Sequence, residues 1–206
     1  MFSTLLQVLA GIIPPTHGTI KYFNEGPIDD DDLFRQLTFV APYMELIEEF
    51  TLKEALDFHI SFKPLKVGIS KKDFYEICYL KDNLNKKVGA FSSGMKQRFK
   101  LGLAILSDSQ VLLLDEPTSN LDEQGRDWYQ NQIKAFSDDR IIVVSSNDPF
   151  EYSFCNHHID ITKFKASKWY MRLLCFLMVL VGIKAMAFHS PISSETGYVF
   201  IENKGQ

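Results

Sequence analysis

The run Phe91–Asp122, FSSGMKQRFKLGLAILSDSQVLLLDEPTSNLD, constrains this chain more than any other, because it joins a small-residue turn, a helix, a buried strand and two acidic residues without interruption. Met95, Phe99, Leu103 and Leu106 recur at three- and four-residue steps, the period of one helix face. Ser92 stands where a helix cap is wanted, and the N–H groups of a helix start attract an anion. Val111-Leu112-Leu113-Leu114 is a continuous apolar run, as expected of a strand covered on both faces, and it ends in Asp115-Glu116. Open α/β sheets place their sites at the carboxyl ends of strands. A hard, hydrated cation such as Mg2+ asks for a carboxylate fixed at such an end, which gives Asp115 a metal-supporting role, directly or through water. Glu116, alternating away from Asp115, is then free to orient or deprotonate a water that attacks a terminal phosphate. The same Asp-Glu-Pro also reads as a plain strand-ending turn, and the pair alone does not choose between the two.

The motifs around it do. Ser92-Ser93-Gly94-Met95 with Lys96, Gln97 and Arg98 resembles the signature of the nucleotide-binding domain of ATP-binding cassette (ABC) transporters, and Val111 to Asp115 resembles its Walker B strand. Glu116 falls on the position of the catalytic glutamate, and Ser119-Asn120-Leu121-Asp122 on the D-loop. The resemblance covers roughly Ser3 to Lys165. It implies an α/β fold of P-loop NTPase type with a helical subdomain from Phe50 to about Leu106, incomplete at the N-terminus, and ATP and Mg2+ as cofactors. It also implies two domains paired head to tail. Ser92, Ser93 and Gly94 of one chain would cap the γ-phosphate bound at Ser3, Thr4, Asp115 and Glu116 of the other, with Asp122 communicating across the seam and Ser3 adding a hydroxyl to the metal. The implied partners are a second ATP-binding domain and a transmembrane permease subunit, which would hold the protein on the cytoplasmic face of the membrane. The serine-rich signature is similar to that of exporters; a soluble ABC-type ATPase and a degenerate cassette that pairs without turnover are the alternatives.

Three positions depart from the family pattern. Ser3 to Gly11 reads as the helix that follows a phosphate loop, with Gly11 at its end and Pro14-Pro15 as a stop, yet Met1 and Phe2 stand where the loop's glycine and lysine would be. A phosphate loop works by pointing successive N–H groups and one ammonium at the β- and γ-phosphates. Two explanations compete: a sequence whose true start lies upstream, and a protein without triphosphate binding. Pro42 stands after the strand Leu37-Thr38-Phe39-Val40, where the family has a glutamine, with Glu45 nearby as a polar substitute. Asn147 stands after the β-branched strand Ile141-Ile142-Val143-Val144, where the family has a histidine; an amide donates a hydrogen bond but carries no charge.

Elsewhere Gly18 to Phe23 reads as a strand, and Asp29-Asp30-Asp31-Asp32 as the solvated start of a helix, where carboxylates suit the positive end of the dipole. Thr51-Leu52-Lys53-Glu54 is a capping box, Ser70-Lys71-Lys72-Asp73 suggests a second helix start, and Gln124 to Ser137 reads as a helix after the D-loop. His59 reads as a partly buried helix residue and His157-His158 as a strand-edge pair. The net charge of −4 carries no basic block, so nucleic acid is not the expected partner. Cys78, Cys155 and Cys175 show no CxxC spacing and read as reduced, buried small hydrophobes.

The domain is expected over residues 1–165. Over 166–206 the sequence changes character: Met171-Arg172, an apolar run from Leu173 to Ile183, then Lys184-Ala185-Met186-Ala187 form the layout of a secretory signal peptide at an internal methionine. The run is short of the about 20 apolar residues a bilayer span needs. A tail joined from a neighbouring reading frame and packing poorly on the domain is the expectation, with a membrane anchor as the alternative.

Overall fold

Alternation along the buried strands decides which helices cover which face. The computed structural model describes residues 2–23, 27–28, 30–137, 140–161 and 198–202. In chain order its elements are α1 (Phe2–Leu9), β1 (Tyr22–Phe23), β2 (Pro27–Ile28), α2 (Asp30–Gln36), β3 (Leu37–Val40), α3 (Leu52–Phe62), α4 (Lys71–Ile77), α5 (Ser93–Ile105), β4 (Val111–Asp115), α6 (Glu123–Phe136), β5 (Ile141–Ser146), β6 (His157–Asp160) and β7 (Tyr198–Glu202). β1 and β2 form a small antiparallel hairpin, shorter than the strand expected over Gly18 to Phe23. The main sheet runs β3-β4-β5-β7-β6, and every neighbouring pair is parallel. Leu113 and Val143 point to a cluster with Leu6 of α1, Leu33 of α2 and Leu37. Leu112, Leu114, Ile142 and Val144, one step out of phase, point to the opposite cluster with Phe99, Leu101 and Ile105 of α5 and Trp128, Tyr129 and Ile133 of α6. Four successive apolar residues in each of β4 (Val111 to Leu114) and β5 (Ile141 to Val144) are what a sheet covered on both faces requires. The fold is thus α/β, a parallel sheet between helical layers.

The helical region from α3 to α5 forms where its caps are. Thr51 and Glu54 close a reciprocal capping box on α3, and Ser70 and Asp73 close another on α4. The Trp128 indole donates to Ile77 O at 2.7 Å and ties α6 to the end of α4. Here α4 and α5 approach so closely that a Cβ on Gly102 would lie 2.3 Å from Cys78 Sγ and 3.2 Å from Phe74 Cζ. Cys78 and Cys155 are free and buried, as read from the sequence, and burial pushes the Cys155 thiol up to about 12.

The amino ends of the strands are held by cations. The Lys63 ammonium donates to Leu37 O at the start of β3. Arg140, just before β5, donates to Ser107 O at 2.7 Å and Ala104 O at 3.4 Å, capping the carbonyls at the C-terminal end of α5. His59 Nε2 lies 2.8 Å from the Ser107 hydroxyl. Burial, with a smaller contribution from Arg140, lowers Lys63 to about 8; burial, with Lys63 adding to it, lowers His59 to about 4.

Of the tail, Tyr198–Glu202 is described as β7, paired with β5 on one side and β6 on the other, which differs from a tail standing apart from the sheet. The apolar run Leu173 to Ile183, with the signal-peptide layout read there, lies outside the described residues. Among the described residues no helix is long and apolar enough to cross a membrane.

Two outcomes follow. Gly102→Ala, which in an open helix would gain stability, is expected to lose about 1–3 kcal/mol in urea unfolding, with Cys78→Ala restoring part of the loss. His59 stays neutral in the folded state to about pH 4, whereas the unfolded chain takes up the proton near 6.5. Its contribution is therefore complete above pH 6.5 and is lost as pH falls toward 4. His59→Gln is expected to flatten the stability–pH curve in that window relative to the wild type, measured by urea midpoints at successive pH values.

Candidate functional site

β4 delivers Asp115 to the carboxyl end of the sheet at 3% exposure, where it accepts a hydrogen bond from the Ser145 hydroxyl of β5 at 2.9 Å. The next residue leaves the strand: Glu116 N–H donates to Ser145 O at 2.9 Å, and its side chain is exposed. No ion pair among the described residues involves Asp115. A buried carboxylate without a positive partner is costly, so the donor set suits a hydrated divalent cation at this strand end.

The backbone here is unusual. Glu116 has φ 42° and Asn120 φ 66°, both in the left-handed region. Asparagine enters that region readily, but a glutamate does so only where its surroundings hold it. Gln97 of α5 donates from Nε2 to Pro117 O at 2.6 Å, and Thr118 donates from its N–H to Glu151 Oε1 at 2.7 Å and from its hydroxyl to the same oxygen. Arg126 of α6 donates to the Thr118 hydroxyl at 3.2 Å and pairs with Asp148 at 2.6 Å, its guanidinium resting 4.4 Å over the Phe150 ring. Asp148 in turn accepts from Phe150 N–H at 2.9 Å, while its own N–H donates to the Ser146 hydroxyl at 2.8 Å. Burial acts to raise Asp148, but the bonds from Arg126 and Phe150 outweigh it and hold the carboxyl below its usual range. Glu151 is 3% exposed, and burial raises its pKa despite the Thr118 bonds.

The structure places the other sequence-named residues around this loop. Ser92 caps α5, accepting from Met95 N–H at 3.2 Å; Ser92 and Ser93 are exposed, and a Cβ on Gly94 would meet Asn120 O at 3.5 Å. Asp122 caps α6, accepting from Gly125 N–H at 2.8 Å. Asn147 is exposed just beyond β5, in the strand-end segment that begins with Ser145. Ser3 and Thr4 lie in the first turn of α1, which packs against β4 and β5, and no hydrogen bond among the described residues joins them to Asp115 or Glu116. Beyond β3, the Lys100 ammonium donates to Pro42 O at 3.3 Å and Met44 O at 3.2 Å, while Glu45 is exposed.

The sequence points to Asp115, Glu116 and Asp122 and sets Gln97 within the signature-like run without a contact for it, and it gives no role to Ser145, Arg126 or Glu151. Glu151 carried one sign only, a carboxylate set between Phe150 and Tyr152.

The ABC transporter family profile matches residues 3–119, more than half of the sequence. The chain belongs to the ABC transporter family. An uncharacterized ABC transporter ATP-binding protein of Bacillus subtilis, YxlF, is 35% identical over 152 residues, covering 70% of this chain and 49% of that protein. Human ATP-binding cassette sub-family A member 6 is 31% identical over 153 residues, covering 70% of this chain and 9% of that protein. The chain therefore spans about half the length of the Bacillus relative and a small part of the human one. Among solved structures, a dimeric post-hydrolysis state of the ATP-binding cassette MJ0796 bound to ADP and Pi superposes with a TM-score of 0.59 at 23% identity, covering 71% of this chain and 70% of that one. At that identity the likeness establishes the fold. This chain is an ABC nucleotide-binding domain by sequence and by fold.

Proposed function

We propose that this ABC domain binds and hydrolyses ATP to drive transport, working with a permease subunit and a second ATP-binding domain. The observation that carries the reading is the strand end itself: a buried, unpaired Asp115 followed by an exposed Glu116 in a backbone conformation held from three sides. Asp115, with the Ser3 hydroxyl, would hold Mg2+, which when bound supplies charge neutralisation at the β- and γ-phosphates. Thr4 would add to the phosphate contacts at the start of α1. Glu116 takes the role of orienting or deprotonating the attacking water, and the Asn147 amide offers a hydrogen bond toward the terminal phosphate.

Ser92, Ser93 and Gly94 of one copy would close on nucleotide held by the other. Their exposure at a helix start supports this, since the free N–H groups there suit an anion. Asp122 would sit at the seam between copies. The permease would dock on the face where Tyr43, Met44, Ile47, Phe58 and Phe62 are exposed, beside a groove of about 320 Å³ lined by Phe34, Met44, Leu46, His59, Lys63 and Lys100. Exposed apolar groups rimming a groove mark an interaction surface. Such docking would place the domain on the cytoplasmic face of a membrane, and the serine-rich turn at Ser92-Ser93 favours export over import.

The Pro42 and Asn147 departures support the rival reading of a cassette that pairs without turnover, and one assay separates the two. With a strand and a glycine-rich phosphate loop added ahead of Ser3, Mg2+-dependent ATP hydrolysis is expected, and Glu116→Gln is expected to lower kcat by roughly 100-fold or more while ATP still binds. The 206-residue chain alone is expected to show negligible turnover. ATP binding without hydrolysis in the extended protein would favour the non-catalytic reading; equal rates for the extended wild type and its Glu116→Gln variant would remove Glu116 from the chemistry.

A further inference from the structure

Glu116 occupies a conformation that a glutamate does not hold by itself, and two buried side chains reach its loop from different parts of the chain. We propose that Gln97 and Glu151 are positioning residues that force Glu116 into its left-handed backbone and so aim its carboxylate; this rests on the reading of Glu116 as the residue that handles the attacking water.

A residue other than glycine or asparagine at φ 42° is strained and persists only when its neighbours over-determine it. Over-determination here is specific. On the N-terminal side, Glu116 N–H is fixed to Ser145 O of the adjacent strand. On the C-terminal side, the next two residues are each fixed by a buried side chain. Gln97 is 1% exposed and gives its amide to Pro117 O at 2.6 Å. Glu151 is 3% exposed and takes both the N–H and the hydroxyl of Thr118, itself 4% exposed, on one carboxylate oxygen.

Neither side chain is there for want of another place. Gln97 spends its donor on the loop and, among the described residues, leaves Oε1 buried without a partner, while burial of Glu151 works against its charged form despite the Ser146 and Thr118 bonds. Burying such groups costs stability, so it is a poor way to stabilise a core and a direct way to fix a peptide orientation. The two clamps also join different elements to one loop. Gln97 sits one turn from the Ser92–Gly94 helix start, and Glu151 follows the Asn147 segment, so movement of either reaches Glu116 through one hydrogen bond.

The test uses the 206-residue chain without nucleotide and reads the backbone directly. The three-bond amide-to-alpha-proton coupling of Glu116 reports its φ. Gln97→Leu and Glu151→Ala are each expected to shift that coupling and to speed hydrogen exchange at Thr118, whereas Glu151→Gln, which keeps an acceptor oxygen, is expected to leave both near wild type. A double-mutant cycle adds a stability readout. Glu116→Gly relieves strain only where the clamps impose it, so it should be more favourable in the wild type than in the Gln97→Leu, Glu151→Ala background, read as the change in urea midpoint. Unchanged coupling in both clamp variants, or strictly additive midpoints, would overturn the proposal. Coupling that responds as expected, alongside a Glu116→Gln enzyme of undiminished rate, would leave the clamp standing and remove the catalytic reading beneath it.

Discussion

The structure turns on how β4 ends. β4 is bonded in parallel to β5 over its whole length and to β3 from Val111 to Leu114, and its apolar residues point alternately into two separate cores. That pairing fixes where Asp115 comes out: it emerges buried beside Ser145, and no ion pair among the described residues involves it. Burying a carboxylate without a positive partner costs stability, and a cation at this strand end would offset that cost. The left-handed turn at Glu116 stands at the same point, where the chain leaves the sheet toward the α6 cap at Asp122.

The two ends of the sheet show opposite electrostatics. At the amino ends, Lys63 and Arg140 sit against main-chain carbonyls, their charges met by the C-terminal end of α5 and the start of β3. At the carboxyl ends of β4 and β5, acidic and hydroxyl groups gather, and Arg126 is paired to Asp148 and Thr118. The helix α5 spans this polarity: its start, capped by Ser92, lies along the Glu116–Asp122 loop, and its end lies over the cations. One rigid element thus has one end at the Glu116–Asp122 loop and the other at the His59–Lys63 groove.

Much of this was legible in the sequence because it is local. Continuous apolar runs marked β4 and β5, the three- and four-residue rhythm marked α5, and Thr51-Glu54 and Ser70-Asp73 marked helix starts that the structure confirms as capping boxes. What escaped depends on contacts between distant segments. Gln97 meets Pro117, Glu151 meets Thr118, and Arg140 meets Ala104, and no spacing within one element encodes such a meeting. The strand Tyr198–Glu202 was hidden for a different reason: it is short, follows a long apolar run, and acquires its meaning only by pairing between β5 and β6. Backbone strain at Glu116 was likewise invisible, because nothing in Asp-Glu-Pro-Thr distinguishes a left-handed glutamate from an ordinary one.

The central claim is that the carboxyl end of β4 is one wall of a magnesium–nucleotide site. Manganese in place of magnesium, added with ATP to the domain extended by a strand and a glycine-rich phosphate loop ahead of Ser3, broadens the NMR signals of nearby amides according to their distance from the ion. The account expects the strongest broadening at Asp115, Glu116, Ser145 and the first turn of α1, and its loss on Asp115→Asn. Broadening centred elsewhere, or unchanged by Asp115→Asn, would contradict it.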